Sequence, residues 1–487
     1  MSRVADPGAP PAREACAIAA GDPPGAPAFH WPVLLWAVYL ANVALQSRSL
    51  ARVVVPALDE GVYLCAARLM ADGLVPFRDF LLTHPPFLVA AAAAGLTATG
   101  GDVPLFSLLY VCWVFSALFP LAFVVRRLSG SAVLGVVAAA FLSLSPMFAG
   151  YDARYFALRQ ASLPLLLWGL SALLARRPVA AGLLLGLFSV GVATNAVLAV
   201  STIAAFFLFG PAERGARRRD TGMATAALVV VLAAGVASVA AVPRGVESVI
   251  GFQLERPRSS LASRAEAFRL RALPQEAPLL LLGLTGALLV RGPARVLGWG
   301  HALALPLVLL GPRSFYPHYA VVFLPGLAGC ASLLMQRIGS GDRWRALVAS
   351  LAFLGGTAAI SGPGVATGLF RGPTDGILRV IDVLRRSPEP ILSYEPIYAL
   401  HAGRRLTFHR HVADMRSLVF VRPNVSEAEF ARLLRESGTV LVEPRFASLL
   451  TAGRRRALDA AFEPVFFEPP HAVLVRRDLL PGRKPPG

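Results

Sequence analysis

The sequence predicts a mainly α-helical, polytopic membrane bundle of about eleven spans, followed by a small extramembrane α/β domain. Three observations predict it. The 487 residues are 55% hydrophobic and only 16% charged, with a mean hydropathy of +0.60, too little polar surface for a soluble chain of this length. Apolar segments long enough, or nearly so, to cross about 30 Å of hydrocarbon recur along most of the chain. After residue 361 the pattern changes to short β-rich runs alternating with amphipathic helical stretches, as a compact α/β unit requires.

Taken in order, residues 1–28 are rich in Pro, Ala and Gly and read as a disordered cytoplasmic tail. The apolar segments lie near 31–47, 103–125, 131–149, 155–175, 179–193, 195–210, 222–242, 277–290, 296–311, 319–336 and 345–361. The pair within 179–210 also reads as one bent segment. The first run lacks a small-residue cleavage site, so it reads as an uncleaved anchor. Arg126-Arg127, Arg176-Arg177, Arg214 with Arg217-Arg218-Arg219, Arg291 with Arg295, and Arg337 with Arg343 and Arg345 fall in alternate loops. The positive-inside rule makes those loops cytoplasmic. The N-terminus is then inside, while 48–102, 150–154, 243–276, 312–318 and everything after 361 face outward. This divides the chain into the tail, a transmembrane body over 29–361 with its outer loop at 48–102, and a periplasmic α/β domain over 362–487. In that domain 390–394, 439–443, 465–467 and 472–475 read as strands, and 427–436 and 452–461 as helices.

The net charge of +18 is spread in short clusters between apolar runs, which speaks against nucleic acid as a partner. Lys484 is the only lysine among the basic residues, and Ala, Gly, Leu and Pro abound, as in a protein from a GC-rich bacterial genome. The chain then belongs in a bacterial cytoplasmic (inner) membrane. Cys16, Cys65, Cys112 and Cys330 lie far apart with no CxxC, so neither a disulfide framework nor a zinc site is expected.

Chemistry gathers in the first outer loop, "LDEGVYLCAARLMADGLVPFRDFLLTHPPF". Over 58–73 the apolar Val62, Cys65, Leu69 and Met70 recur at helical spacing, with Asp59 at the start and Gly73 at the end. One reading makes Asp59 an N-cap and Glu60 a partner of the helix dipole, on a helix lying at the membrane surface. The other takes in the whole loop. An interfacial helix, a turn at Pro76, the polar Arg78, Asp79 and His84, and a second apolar stretch from Phe87 would build a concave pocket. Its carboxylates could act as a general base or hold a cation.

The order Asp59, Glu60, Tyr63, Gly73, Pro76, Phe77, Asp79, His84, Pro85, Pro86, directly after the first span, resembles the GT-C membrane glycosyltransferases. It is most similar to bacterial relatives of protein O-mannosyltransferases and of the aminoarabinose transferases acting on lipid A. Ser145-Pro146, "AAGLLLGL" at 180–187, "HYAVVFLP" at 318–325 and the extramembrane C-terminal domain extend the resemblance over most of the chain. The resemblance implies transfer of a sugar from a polyprenyl-phosphate donor to a lipid, glycan or protein hydroxyl at the outer face. It also implies Asp59 as catalytic base, Glu60 as its assistant or as the residue that positions the acceptor, and His84 near a metal or the donor phosphate. A divalent cation (Mg, Mn or Zn) would then have Asp59, Asp152 and His84 as candidate ligands. Two departures stand out. Where relatives carry a second acid the chain reads Ala157-Leu158-Arg159-Gln160, and where they carry a lysine it reads Thr194-Asn195.

Further candidate substrate contacts are Tyr63, Arg78 and Asp79 in the first loop, and Arg154 and Arg159 around the third outer loop. Arg159 equally reads as an interfacial anchor. Arg256, Arg258 and Arg264 crowd an outer loop against the topological expectation, and so fit an anionic ligand or else a solvated face. His318 and Tyr319 could bind phosphate or sugar, or anchor the chain at the interface. The competing functional classes are a lipid or solute transporter or flippase, and an inactive GT-C relative kept as a scaffold. A transporter should carry ionisable or broken positions at mid-membrane in related halves, whereas the polar residues here gather at the outer ends of the spans.

Overall fold

The computed structural model describes residues 30–50, 58–150, 155–251, 254, 260–301, 321–339, 343–370, 375–407 and 426–480; for Asp59 it describes the backbone alone. The bundle begins with α1 (Trp31–Leu50), α2 (Leu58–Ala71), α3 (Phe87–Ala98), α4 (Val103–Phe115), α5 (Leu118–Ser129) and α6 (Ala132–Ser143). It continues with α7 (Leu158–Leu174), α8 (Pro178–Gly191), α9 (Asn195–Phe209), α10 (Arg214–Ala240) and α11 (Leu261–Ala267). After them come α12 (Leu273–Leu289), α13 (Arg295–Gly300), α14 (Leu324–Ile338) and α15 (Arg343–Phe370). Every apolar segment read from the sequence carries a helix over its described residues; of the segment at 296–311, residues 302–311 lie outside them, as do 319 and 320 of the next. Four stretches, Val103–Ser129, Arg214–Ala240, Val321–Ile338 and Arg345–Pro363, are long and apolar enough to cross a membrane. The others are apolar helices of 10–17 residues or shorter.

Two local differences have plain causes. The segment expected as one helix from 103 breaks at Ser116-Ala117 into α4 and α5. Pro120 has no N–H to give to Ser116, and Phe119 donates there instead at 3.2 Å, one residue short of the α-helical spacing. The stretch 179–210, open to either reading, is two helices, α8 and α9, with Asn195 opening the second. Within "AAGLLLGL" the glycines serve packing. A Cβ on Gly182 would collide with the Ala224 carbonyl, and one on Gly186 with Val231, so α8 and α10 touch backbone to backbone.

The carboxyl-terminal unit holds α16 (Asp375–Arg386), β1 (Ile391–Leu392), α17 (Ile397–His401), α18 (Glu427–Glu436), β2 (Thr439–Val442), α19 (Ala452–Ala461), β3 (Phe462–Glu468) and β4 (His471–Arg476). The sheet order is β1-β2-β4-β3, with β1 parallel to β2 and the rest antiparallel. Ile391 pairs with Thr439 and Val440 with Leu474. Helices cover both faces. On one, Phe430, Leu433, Leu434 and Leu458 of α18 and α19 close over Leu392, Val440 and Leu474. On the other, Ile377, Val380, Ile381, Ile397 and Tyr398 of α16 and α17 pack on Ile391, Leu441 and Val473, in a core continuous with that of the bundle.

Polar and aromatic contacts sort the helix ends of the bundle into two sets. At one end Arg126 lies over the Trp31 ring at 4.8 Å, Gln336 donates to the Ser129 carbonyl at 3.2 Å, and Arg337 donates to the Leu289 carbonyl. Arg295 over Phe209, Arg217 on the Leu208 carbonyl and Arg176 paired with Asp220 complete it. At the other end Gln46 donates to the Ala149 carbonyl, Glu276 accepts from Ser145, and Glu60 meets Phe156. The arginine clusters thus share one face of the bundle, and the acidic loop lies at the opposite one.

Candidate active site

The first loop does form the predicted helix, but α2 is not a bare surface helix. Leu64, Cys65, Ala66, Ala67 and Leu69 are all buried, a wider band than the expected stripe, because α3 covers one side and α17 another. Small residues make this possible, above all Gly61 where α17 comes closest. Leu58 is already helical, which puts Asp59 within the helix rather than at the cap position. Its end follows the predicted chemistry. Gly73 takes φ +87° and donates to the Met70 carbonyl at 3.0 Å, and Leu74 donates to Leu69 at 3.0 Å.

The turn after α2 is stiff. Asp79 accepts from the Val75 N–H at 2.7 Å and holds Arg78 through two contacts of 2.8 and 3.0 Å. Phe77 is left-handed at φ +70°, a strained setting for a residue with a side chain, and its own side chain is buried. Asp79 therefore shapes the turn, and Arg78 projects largely into solvent with 61% of its side chain exposed. Pro85 and Pro86 then set the start of α3.

Glu60, Tyr63 and His84 come together around a residue that the sequence reading passed over, Phe156. Glu60 is 4% exposed and accepts from the Phe156 N–H at 3.3 Å. The Phe156 ring meets Tyr63, Phe106 and Tyr110 edge-on, with centroids 6.4, 5.7 and 5.4 Å away, and Tyr63 meets His84 at 5.7 Å. The Tyr110 hydroxyl accepts from the Ala157 N–H at 3.2 Å. These contacts tie the acidic helix to the first residues of α7, where Arg159 stands.

Arg159 is buried and donates from Nη2 to the Thr194 hydroxyl at 3.0 Å. A guanidinium thus reaches Thr194, one of the two places where the sequence departs from the pattern it resembles. Its neighbour Gln160 is fully buried, with neither amide atom hydrogen-bonded among the described residues. Asn195 donates to Ser162 at 3.0 Å and to the Phe188 carbonyl at 3.1 Å. The bundle is therefore more polar inside than the hydropathy reading implies. His301, fully buried with neither ring nitrogen hydrogen-bonded among the described residues, belongs to the same correction. So does Glu276, which accepts from Ser145 Oγ and the Met147 N–H, both at 2.7 Å. The only sequence signal for Glu276 is an acid immediately before an apolar run, easily read as a loop edge.

Arg264 is buried on α11, whose cap Ser260 accepts from the Ser263 N–H at 3.1 Å. The side chain of Asp59, and all of Asp152, Arg154, Arg256, Arg258, His318 and Tyr319, lie outside the described residues. Of the candidate metal ligands only His84 is described, and among the described residues no group of three His, Cys, Asp or Glu could hold a metal ion.

With this geometry in view, the solved structures that match are informative. Apo ArnT from Cupriavidus metallidurans superposes with a TM-score of 0.65 at 15% identity, over 91% of this chain and 97% of that one. The same protein bound to undecaprenyl phosphate gives 0.62 at 16% identity, over 92% and 98%. The arabinosyltransferase EmbB of Mycobacterium smegmatis is a looser likeness, at 0.45 and 14% identity, over 89% of this chain and 46% of that one. No family model matches the chain, and no curated protein matches it by sequence. At such identities the likeness speaks of fold. From bundle to carboxyl-terminal sheet, the chain has the GT-C fold of the ArnT structures.

Proposed function

We propose that this chain is a GT-C membrane glycosyltransferase that moves a sugar from a polyprenyl-phosphate donor to a hydroxyl of a lipid, glycan or protein. The reaction takes place at the outer face of a bacterial cytoplasmic membrane. The observation that carries the reading is the placement of the acid pair. Asp59-Glu60 sits on a helix enclosed between the bundle and the carboxyl-terminal unit, at the end away from the arginine clusters, in a chain that shares the ArnT fold over 91% of its length. That the ArnT structure was solved with undecaprenyl phosphate supports a polyprenyl-linked donor.

In the reaction the acceptor oxygen attacks the anomeric carbon, the bond from that carbon to the phosphate oxygen breaks, and polyprenyl phosphate leaves. Asp59 takes the hydroxyl proton as the new bond forms. Glu60, held by the Phe156 N–H, fixes the pitch of the helix that presents Asp59. Arg159 supplies positive charge toward the leaving phosphate, and Tyr63 and His84 wall the sugar site. Arg154, Arg256, Arg258 and Arg264 are further phosphate contacts, and His318 and Tyr319 further sugar contacts, in this reading.

The test is Asp59→Asn, assayed with a panel of labelled polyprenyl-phosphate sugars in sealed vesicles. Loss of the base lowers kcat by about two orders of magnitude or more, with donor binding intact. A helix-dipole role is worth about 0.3–1 kcal/mol on an exposed helix and up to about 2 kcal/mol on a partly buried one, about thirtyfold at most, so the two roles separate by magnitude. Transfer by the variant within about thirtyfold of wild type, with expression confirmed, would sink the assignment.

A further inference from the structure

We propose that α17 holds the acid-bearing helix α2 in its working position, and that Tyr398, His471 and Glu443 are positioning residues for the transfer through α17. The inference rests on the reading of α2 as the catalytic helix. Its starting point is Gly61, next to Glu60. A Cβ there would stand 2.9 Å from the Ile397 backbone nitrogen and 3.2 Å from the Ile397 Cβ. The two helices therefore meet in a contact that only glycine allows. Beyond Gly61 they part. The same side of α2 then borders a cleft of about 590 Å³, with Cys65, Arg68 and Leu69 on one wall and Leu400, Arg404 and Leu406 on the other. The seat of α2 on α17 is thus concentrated within a turn of the acid pair.

A helix of five residues cannot fix its own position, since so short a segment is marginal without tertiary support. Side chains from the sheet supply that support. Glu443, just past the end of β2, accepts from the Glu395 N–H at 3.0 Å, and Ser393 accepts from the same N–H at 3.2 Å. Both contacts lie in the short link between β1 and α17. Farther along, the Tyr398 hydroxyl shares a hydrogen bond of 2.9 Å with His471 Nε2, at the start of β4. Glu443, Tyr398 and His471 are all buried, so each bond is made away from water, where losing a partner is costly. These groups sit at the carboxyl ends of the parallel pair β1–β2. In open α/β sheets that edge usually receives a ligand. Here it receives α17, which in turn meets α2.

The experiment uses the full chain in lipid nanodiscs, with Gly61→Ala, Tyr398→Phe, the double variant, and Glu443→Gln, which keeps the accepting oxygen. Amide exchange over residues 58–64 is read beside kcat and donor KM. Gly61→Ala and Tyr398→Phe each raise exchange in that window and lower kcat about five- to tenfold, leaving donor KM within about twofold. Exchange in α9 does not change. The double variant loses no more than the worse single one, because both release the same contact. Glu443→Gln stays within about twofold of wild type near neutral pH. Unchanged exchange over 58–64 in Tyr398→Phe, or additive losses in the double variant, would overturn the proposal. Exchange that responds as described while no form, wild type included, transfers sugar would sink the transferase reading and leave the seating of α2 standing.

Discussion

Arg159 shows at the residue scale how charge is kept close to hydrocarbon for a reason. It is the second residue of α7, buried, and bonded to Thr194 of the next helix pair. A cation at the centre of a span costs about 2.5–3.5 kcal/mol, and near a helix end it escapes most of that by snorkelling. A pure anchor would turn outward to water, whereas this side chain turns inward to Thr194. In the proposed reaction an inward cation meets the donor phosphate. Arg159→Met is therefore expected to raise donor KM about tenfold or more with a smaller change in kcat, and Arg159→Lys to recover part of the loss. Equal donor KM in all three forms would return Arg159 to the role of an anchor. The sequence displayed this residue but not its function, because a contact between positions 35 residues apart is a property of packing. Gln160 makes the same point. Its departure from an acid was visible in the sequence, but its complete burial was not.

Elements were legible where local chemistry sets them and obscure where neighbours do. The helices 427–436 and 452–461 stand as read, each with its cap in place: Ser426 accepts from Glu429 N–H at 3.1 Å and Thr451 from Arg454 N–H at 3.2 Å. The strand read at 390–394 shrinks to Ile391–Leu392, because Ser393 folds the chain back through bonds to Glu395. α17 had no signature at all, being short and defined by what it touches. The support of α17 also makes the carboxyl-terminal unit sensitive to pH. Burial first, and then the charge of Glu395, push the Glu443 carboxyl up to about 8 from 4.5, with Tyr398 and His471 as the other titratable neighbours. The sign follows from proton counting. Between about 4.5 and about 8 the folded state keeps a proton that the unfolded chain has lost, so stability is greatest below that window and falls as pH rises through it. His401 acts oppositely: burial lowers it to about 4 from 6.5, so its contribution is lost as pH falls through that range. The two windows overlap, which leaves the stretch from about 6.5 to about 8 to Glu443 alone of this pair. Protection of β2 amides, corrected for intrinsic exchange, is expected to drop across that stretch in wild type and to stay level in Glu443→Gln. The same slope in both proteins would remove Glu443 as its source.

For the whole molecule the question is which end of the bundle faces out, and the contacts reduce it to one bit. Gln336 on Ser129, Arg337 on Leu289, Arg295 on Phe209, Arg217 on Leu208 and Arg176 on Asp220 link helix ends that are far apart in sequence into one continuous rim. The sequence could only count arginines in alternate loops; the structure brings those loops to the same face. The positive-inside rule then acts on the rim as a unit rather than on each loop separately, so a mistake in the count of spans no longer matters. The Glu60 cluster and the carboxyl-terminal sheet lie at the opposite end, where a polyprenyl-phosphate sugar would be used after export. A phosphatase that folds only after export, fused after Gly487, is expected to be active, and a reporter that works only in the cytoplasm is expected to be silent at the same position. The opposite pattern would put Asp59 and Glu60 in the cytoplasm. The fold would survive that result, but the donor would then have to be met on the other leaflet, and the proposed reaction would fail with it.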